Sequence, residues 1–308
     1  MSQPNLAVTV GRDRPVHLKN PVIAASGTFG YGLEYAGQLD LAGLGGLVTK
    51  GVSLKPRQGN PPPRICETAA GMLNAIGLAN VGLEVFLRDK LPALKPHGVP
   101  VVVNLYGESV AEFVELARAL DQAPGVAALE LNVSCPNVSG GGMAFGCHPG
   151  PVGEITSAVR AATALPLWVK LTPNVGDIVP IALAAQAAGA DALSLINTLL
   201  GMAIDARSRR PRLGNIVGGL SGPAIKPVGL RMVWQVARAV SIPVVGMGGI
   251  LSGEDAAEYL LAGASAVQVG TANFVDPGSC LRVAQELAAF CQAQGIADVN
   301  ELKGGLKV

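Results

Sequence analysis

The sequence predicts an α/β protein, a (β/α)8 TIM barrel with an N-terminal hairpin and a long loop insertion after the sixth strand, in one domain spanning residues 1–308. Three features carry that expectation. Eight short β-rich runs recur at intervals that each leave room for a helix; most of them are apolar throughout; and polar side chains gather just past their ends. Runs without alternation belong to parallel strands covered on both faces. A doubly wound open sheet reads in much the same way, but eight strand–helix units favour closure. A chain of 308 residues is long for one domain unless that domain is a barrel, which typically needs roughly 250 residues.

The chain opens on a hairpin pattern. In Leu6–Lys19, Ala7-Val8-Thr9-Val10 and Val16-His17-Leu18 flank Gly11-Arg12-Asp13, and such a hairpin could cap the barrel floor. The predicted strands are Pro21–Ser26, Gly46–Gly51, Val99–Leu105, Ala127–Asn132, Leu167–Leu171, Ala192–Asn197, Ile242–Met247 and Ala266–Gly270. Helical patterns lie between them, among them Ala111–Asp121, Asp177–Ala188, Gly229–Val240 and Ser252–Ala262. The last opens on Ser252-Gly253-Glu254-Asp255, a capped acidic first turn. Leu199–Gly222 is long and rich in arginine and glycine, and reads as a loop excursion at the end of the barrel where loops carry function.

A formal net charge of +1 and the lack of a long basic run argue against nucleic acid or an anionic membrane as the main partner. No stretch approaches the roughly 18 apolar residues of a spanning helix. Met1-Ser2-Gln3-Pro4-Asn5 lacks the features of a secretory signal, so a cytoplasmic location with reduced thiols is expected. The five cysteines and three histidines are scattered, and no metal ligand set is visible.

The residues at the carboxyl ends of the strands converge on one rim: Ser26-Gly27-Thr28, Lys50-Gly51, Asn104, Asn132 to Asn137, Lys170, Asn197-Thr198, Gly248-Gly249 and Gly270-Thr271. The glycine turns after the last two strands offer backbone N–H groups where barrels commonly hold a phosphate, although any one of them could simply make a tight turn. Lys50 and Lys170 sit in or just past apolar strands, so each should face an anion. The alternatives are a salt bridge to Glu130 or a similar carboxylate, and a Schiff-base role. Asn74, Asn104, Asn132, Asn137 and Asn197 suit a heterocycle with imide-like edges, such as a pyrimidine or an isoalloxazine. Cys135 follows the strand Ala127–Asn132 by way of Val133-Ser134 and precedes the glycine-rich stretch Ser139–Gly146, the setting of an acid/base thiol under a closing loop. Cys66, Cys147, Cys280 and Cys291 lack that setting and read as packing residues.

In combination these motifs resemble the dihydroorotate dehydrogenases over nearly the whole chain. The resemblance rests on Ala25-Ser26-Gly27-Thr28-Phe29-Gly30, Thr49-Lys50-Gly51, Asn74-Ala75-Ile76-Gly77-Leu78, Asn132-Val133-Ser134-Cys135-Pro136-Asn137, Val169-Lys170-Leu171-Thr172-Pro173-Asn174, Ile196-Asn197-Thr198, Gly219–Pro227, Gly246-Met247-Gly248-Gly249 and Val269-Gly270-Thr271. A cysteine at the base position resembles class 1. The segments around Asn74, Gly219–Pro227 and Gly246–Gly249 resemble the class 1B catalytic subunit.

That resemblance implies FMN across the barrel mouth, its phosphate on Gly248, Gly249, Gly270 and Thr271. Ser26, Lys50, Gly51, Asn104, Asn132, Lys170, Ile196 and Gly222 would contact the rest. It implies that Lys50, Asn74, Ile76, Gly77, Leu78, Asn132, Asn197 and Thr198 hold dihydroorotate or orotate, with Cys135 taking the C5 proton. It further implies a homodimer within a heterotetramer whose second subunit carries FAD and a [2Fe–2S] cluster and reduces NAD+. The rival readings are a class 1A-like enzyme that uses fumarate, a Schiff-base lyase or isomerase barrel, and a non-catalytic assembly subunit.

Overall fold

The computed structural model describes residues 3–133 and 146–307. In chain order its strands are β1 (Val8–Val10), β2 (Val16–Leu18), β3 (Val22–Ala24), β4 (Gly46–Val48), β5 (Ile65–Thr68), β6 (Gly71–Asn74), β7 (Val101–Leu105) and β8 (Val126–Asn132). They continue with β9 (Leu167–Lys170), β10 (Ala192–Leu195), β11 (Leu199–Met202), β12 (Ile204–Asp205), β13 (Arg210–Pro211), β14 (Val217–Ser221), β15 (Val244–Met247) and β16 (Ala266–Val269).

Eight of these close a barrel in the order β3, β4, β7, β8, β9, β10, β15, β16, with β16 returning to β3. Every pairing around the ring is parallel. These are the eight predicted strands, each within about two residues of the expected ends or trimmed inside them. Their apolar residues are buried because helices cover the outside and side chains fill the interior.

The helices form for local reasons as well as by packing. Ser109 caps Val110–Asp121 by accepting a hydrogen bond from the Glu112 N–H at 3.3 Å. Its buried Phe113, Leu116, Ala117 and Leu120 recur at helical spacing and form the stripe laid against the barrel. At Gly253–Leu261, Ser252 and Asp255 form the reciprocal capping box that the acidic first turn predicts.

The hairpin β1–β2 is antiparallel and closes the amino-terminal end of the barrel. Val8, Val10, Val16 and Leu18 are buried in the main core. The Arg12 N–H donates to the Asp191 carbonyl, just before β10, at 3.3 Å.

The excursion after the sixth barrel strand is present and is more ordered than a loop. β11 and β14 join β6 and β5 in a four-stranded antiparallel sheet, and β12 pairs with β13. In β11 every second residue is exposed, as expected for a sheet covered on one face only. That sheet carries the Asn74 segment over the carboxyl end of the barrel.

Candidate functional site

A cavity opens at the carboxyl ends of the barrel strands, enclosing about 1480 Å³ including its mouth. The residues predicted to hold FMN and the substrate all line it. Ser26 follows β3; Lys50 and Gly51 follow β4; Asn104, Asn132 and Lys170 end β7, β8 and β9; Ile196, Asn197 and Thr198 follow β10. Gly222, Gly248, Gly249, Gly270 and Thr271 follow β14, β15 and β16, and Asn74, Ile76, Gly77 and Leu78 arrive from the four-stranded sheet. Residues scattered over the sequence meet because a parallel barrel delivers every strand end to the same side. Cys135, Asn137 and the stretch Ser139–Phe145 lie outside the described residues.

Three turns build one wall. Gly248 and Gly249 have φ of 126° and 72°, values that L side chains rarely adopt. A Cβ on Gly249 would also lie 2.7 Å from Lys226 Cβ and 2.9 Å from the Gly222 carbonyl oxygen, so backbone packs on backbone here. The Tyr259 hydroxyl holds the turn from behind, donating to the Gly248 carbonyl at 2.7 Å, with the Met247 carbonyl at 3.3 Å. Burial pushes the pKa of this phenol well above the ordinary range, so it remains a donor. Gly246 and Gly229 make room for the ring, since a Cβ on either would fall on Tyr259. Thr271 Oγ1 donates to Ser221 Oγ at 2.8 Å and ties the last turn to the excursion sheet. Lys226, beside Gly249, is engaged by Asp255 and by Glu258 at 2.8 Å.

Below the cavity lies Glu130, wholly buried inside the barrel. Its Oε1 accepts from Asn104 Nδ2 at 2.7 Å, and its Oε2 accepts from Ser194 Oγ at 2.8 Å and Gln268 Nε2 at 2.7 Å. Lys170 Nζ stands 3.6 Å from Oε1. For Lys170 the salt bridge to Glu130 is therefore real. An ammonium held against a buried carboxylate is poorly suited to Schiff-base chemistry, which needs the free amine. Lys50 is in a different state: burial pushes its pKa down, the Arg64 charge lowers it further, and Glu34 acts in the opposite direction.

The remaining edge is held by amides. Asn60 Nδ2 donates to the Ala75 carbonyl at 3.0 Å, and Asn80 Nδ2 to the Leu78 carbonyl at 2.8 Å, bracketing Ile76-Gly77-Leu78. Asn74 Nδ2 donates across the sheet to the Gly219 carbonyl at 3.3 Å. Asn174 spans the other side: its Nδ2 donates to the Thr198 carbonyl at 3.0 Å and its Oδ1 accepts from the Leu200 N–H at 2.8 Å.

A sequence model of dihydroorotate dehydrogenase matches residues 12–291. The chain belongs to the dihydroorotate dehydrogenase family. Its relatives include the protein of Geotalea uraniireducens, 57% identical over 306 residues and 99% of both chains. That of Geobacter metallireducens is 56% identical over 308 residues and 100% of both chains. That of Pelobacter propionicus is 58% identical over 292 residues, 95% of this chain and 96% of its own. Each of these three is named dihydroorotate dehydrogenase B (NAD(+)), catalytic subunit. No described helix is long and apolar enough to cross a membrane. Among the described residues no His/Cys/Asp/Glu group is arranged to hold a metal ion.

Sequence reasoning named Glu130 only as a partner for a lysine and did not single out Ser194, Gln268, Tyr259 or Asn174. Ser194 and Gln268 carried a signal, each being the one polar residue inside an otherwise apolar strand. Tyr259 carried none, because a tyrosine on a helix facing the barrel reads as core. Cys280 and Cys291 are buried. Burial pushes the Cys280 thiol up to about 12, the state of a packing residue and not of a nucleophile.

Proposed function

We propose that this chain oxidises dihydroorotate to orotate on bound FMN, in the cytoplasm, as a step of pyrimidine biosynthesis. The observation that carries the cofactor reading is a pair of buried oxygens on residues that line the cavity, Asn104 Oδ1 and Gln268 Oε1, which have no hydrogen-bond partner among the described residues. Unpaired buried acceptors are rare in native proteins, and a ring N–H, which the isoalloxazine carries at N3, would pair with such an oxygen. The bare backbone at Gly248 and Gly249 fits a phosphate in the same way.

In this reading Gly248, Gly249, Gly270 and Thr271 hold the phosphate. Ser26, Lys50, Gly51, Asn104, Asn132, Lys170, Ile196 and Gly222 hold the remainder. Lys50, Asn74, Ile76, Gly77, Leu78, Asn132, Asn197 and Thr198 hold the substrate, with the ammonium of Lys50 meeting its carboxylate. Cys135 takes the proton from C5. FMN, when bound, supplies the acceptor for the C6 hydride. A thiol of ordinary pKa, roughly 8.5, is only a few per cent thiolate at neutral pH, so turnover rises toward alkaline pH.

Electrons then pass to NAD+ through a partner subunit with FAD and a [2Fe–2S] cluster, around a homodimer of this chain. The names of the relatives, as catalytic subunits, support a partner. Leu251 and Phe274 line the cavity yet are 38% and 48% exposed, which leaves an apolar lip beside it. Cys135→Ala tests the reading. The variant should retain its flavin and lose most of the reduction by dihydroorotate, while NAD+ reduction by the native protein should require a copurifying flavin/iron–sulfur subunit. Near-normal flavin reduction by the variant would sink the base assignment, and fumarate-dependent turnover without a partner would sink the NAD+ route.

A further inference from the structure

We infer that Glu130 is a positioning residue whose charge decides which hydrogen-bonding groups the floor of the cavity presents to the cofactor. This role rests on the FMN reading above and assigns a task to a side chain that does not itself line the cavity.

A carboxylate accepts hydrogen bonds and donates none, so every group that meets it must turn a donor toward it. Asn104, Ser194 and Gln268 reach Glu130 from β7, β10 and β16, and Lys170 from β9. All are nearly or wholly inaccessible to solvent. An amide has two ends. With the Asn104 and Gln268 NH2 groups committed inward at 2.7 Å each, their oxygens are left buried and without a partner among the described residues, on side chains that line the cavity. Glu130 thus turns two reversible amides into two acceptors and anchors one ammonium beside them. The floor is written for a heterocycle that presents N–H donors, and against one that presents only acceptors at those positions.

Replacing the carboxylate by its isosteric amide reverses part of this. Gln at 130 offers one acceptor oxygen and one NH2 group, which meets another NH2 unless Asn104 or Gln268 turns over. Turning over brings a donor into the cavity in place of an acceptor. The substitution also removes a negative charge 3.6 Å from Lys170 Nζ, so the ammonium acts on the ring unopposed.

Glu130→Gln is therefore expected to raise the FMN dissociation constant of the apoprotein by about tenfold or more. It should also move the flavin midpoint potential in the positive direction, because an unopposed cation favours the anionic reduced ring. A merely structural role would not move the potential. An unchanged affinity, or an unmoved potential in the flavin that remains bound, overturns the inference. Should the variant fail to fold, Gln268→Met takes its place: it keeps an unbranched side chain of similar size and removes one of the two acceptors. An FMN affinity about tenfold weaker supports the inference, and a native affinity overturns it. Native apoprotein that takes up no FMN overturns the cofactor reading itself, whereas native protein that binds FMN beside variants that bind it equally well overturns only the role of Glu130.

Discussion

Two buried carboxylates sit at opposite ends of the barrel and serve opposite purposes. Asp191, just before β10 at the amino-terminal end, is closed on all sides. Its Oδ2 accepts from Arg160 and from the Leu167 N–H at 2.8 Å each, and Arg14 stands 3.4 Å from its Oδ1. Glu130, toward the carboxyl end, is equally buried, but two of the groups that satisfy it, the Asn104 and Gln268 amides, each keep a buried oxygen with no hydrogen-bond partner among the described residues. The partners of Asp191 lie away from the cavity, whereas two partners of Glu130 line it and keep one unpaired acceptor each among the described residues. A buried charge points to a site when its partners keep unpaired atoms on residues that line a cavity.

The largest effect expected from this contrast is at the amino-terminal end. Asp191→Asn leaves the Arg160 guanidinium, whose pKa burial already lowers, without its countercharge. The loss should be about 3 kcal/mol of stability in urea titration, with FMN affinity unchanged. A variant that keeps its stability and loses FMN would break the division between the two ends.

An intermediate effect concerns Lys50 and sharpens the ligand-facing half of the comparison. Its pKa lies below the ordinary 10.5 because the charged form is penalised by burial and by Arg64. An anionic ligand held by Lys50 would raise that pKa again, so orotate binding should take up a proton in the window between the pKa of the free enzyme and the higher pKa of the complex. Orotate affinity should therefore fall as pH rises through a window below the ordinary lysine range, and calorimetry in buffers of different ionisation enthalpy would detect the uptake. With Cys135 as the proposed base, turnover should rise with pH while binding weakens through Lys50, and kcat/KM should be bell-shaped. A pH-independent orotate affinity across that window would remove Lys50 from the substrate site.

The smallest effect is at the phosphate wall. Tyr259→Phe removes the hydroxyl that holds the Gly248 carbonyl and should weaken FMN binding by about 1 kcal/mol, or several-fold, in a fluorescence titration. Equal affinity would mean that the turn holds its shape without that bond.

The barrel was legible in the sequence because continuous apolar runs, helix-length spacing and polar strand ends are all local signals. The site was legible for the same reason wherever a motif sits at a strand end, as at Lys50-Gly51 or Gly248-Gly249. The excursion sheet escaped notice as a sheet. Its central pairing joins Asn74 to Gly219 across 145 residues, and a strand that exposes every second side chain resembles a loop when its partner lies far off in the chain. The Glu130 network was only half legible. Each of its members is a single polar residue in an apolar strand, and only closure of the ring brings β7, β8, β9, β10 and β16 around one carboxylate.

The most direct test of a flavin-dependent dihydroorotate site at the barrel mouth is an absorbance spectrum of the purified protein, recorded before and after anaerobic addition of dihydroorotate. The expected result is a yellow protein with FMN bound to each chain, whose visible band bleaches on addition of the substrate. Colourless protein that takes up no FMN, or a bound flavin that dihydroorotate leaves oxidised, would contradict it.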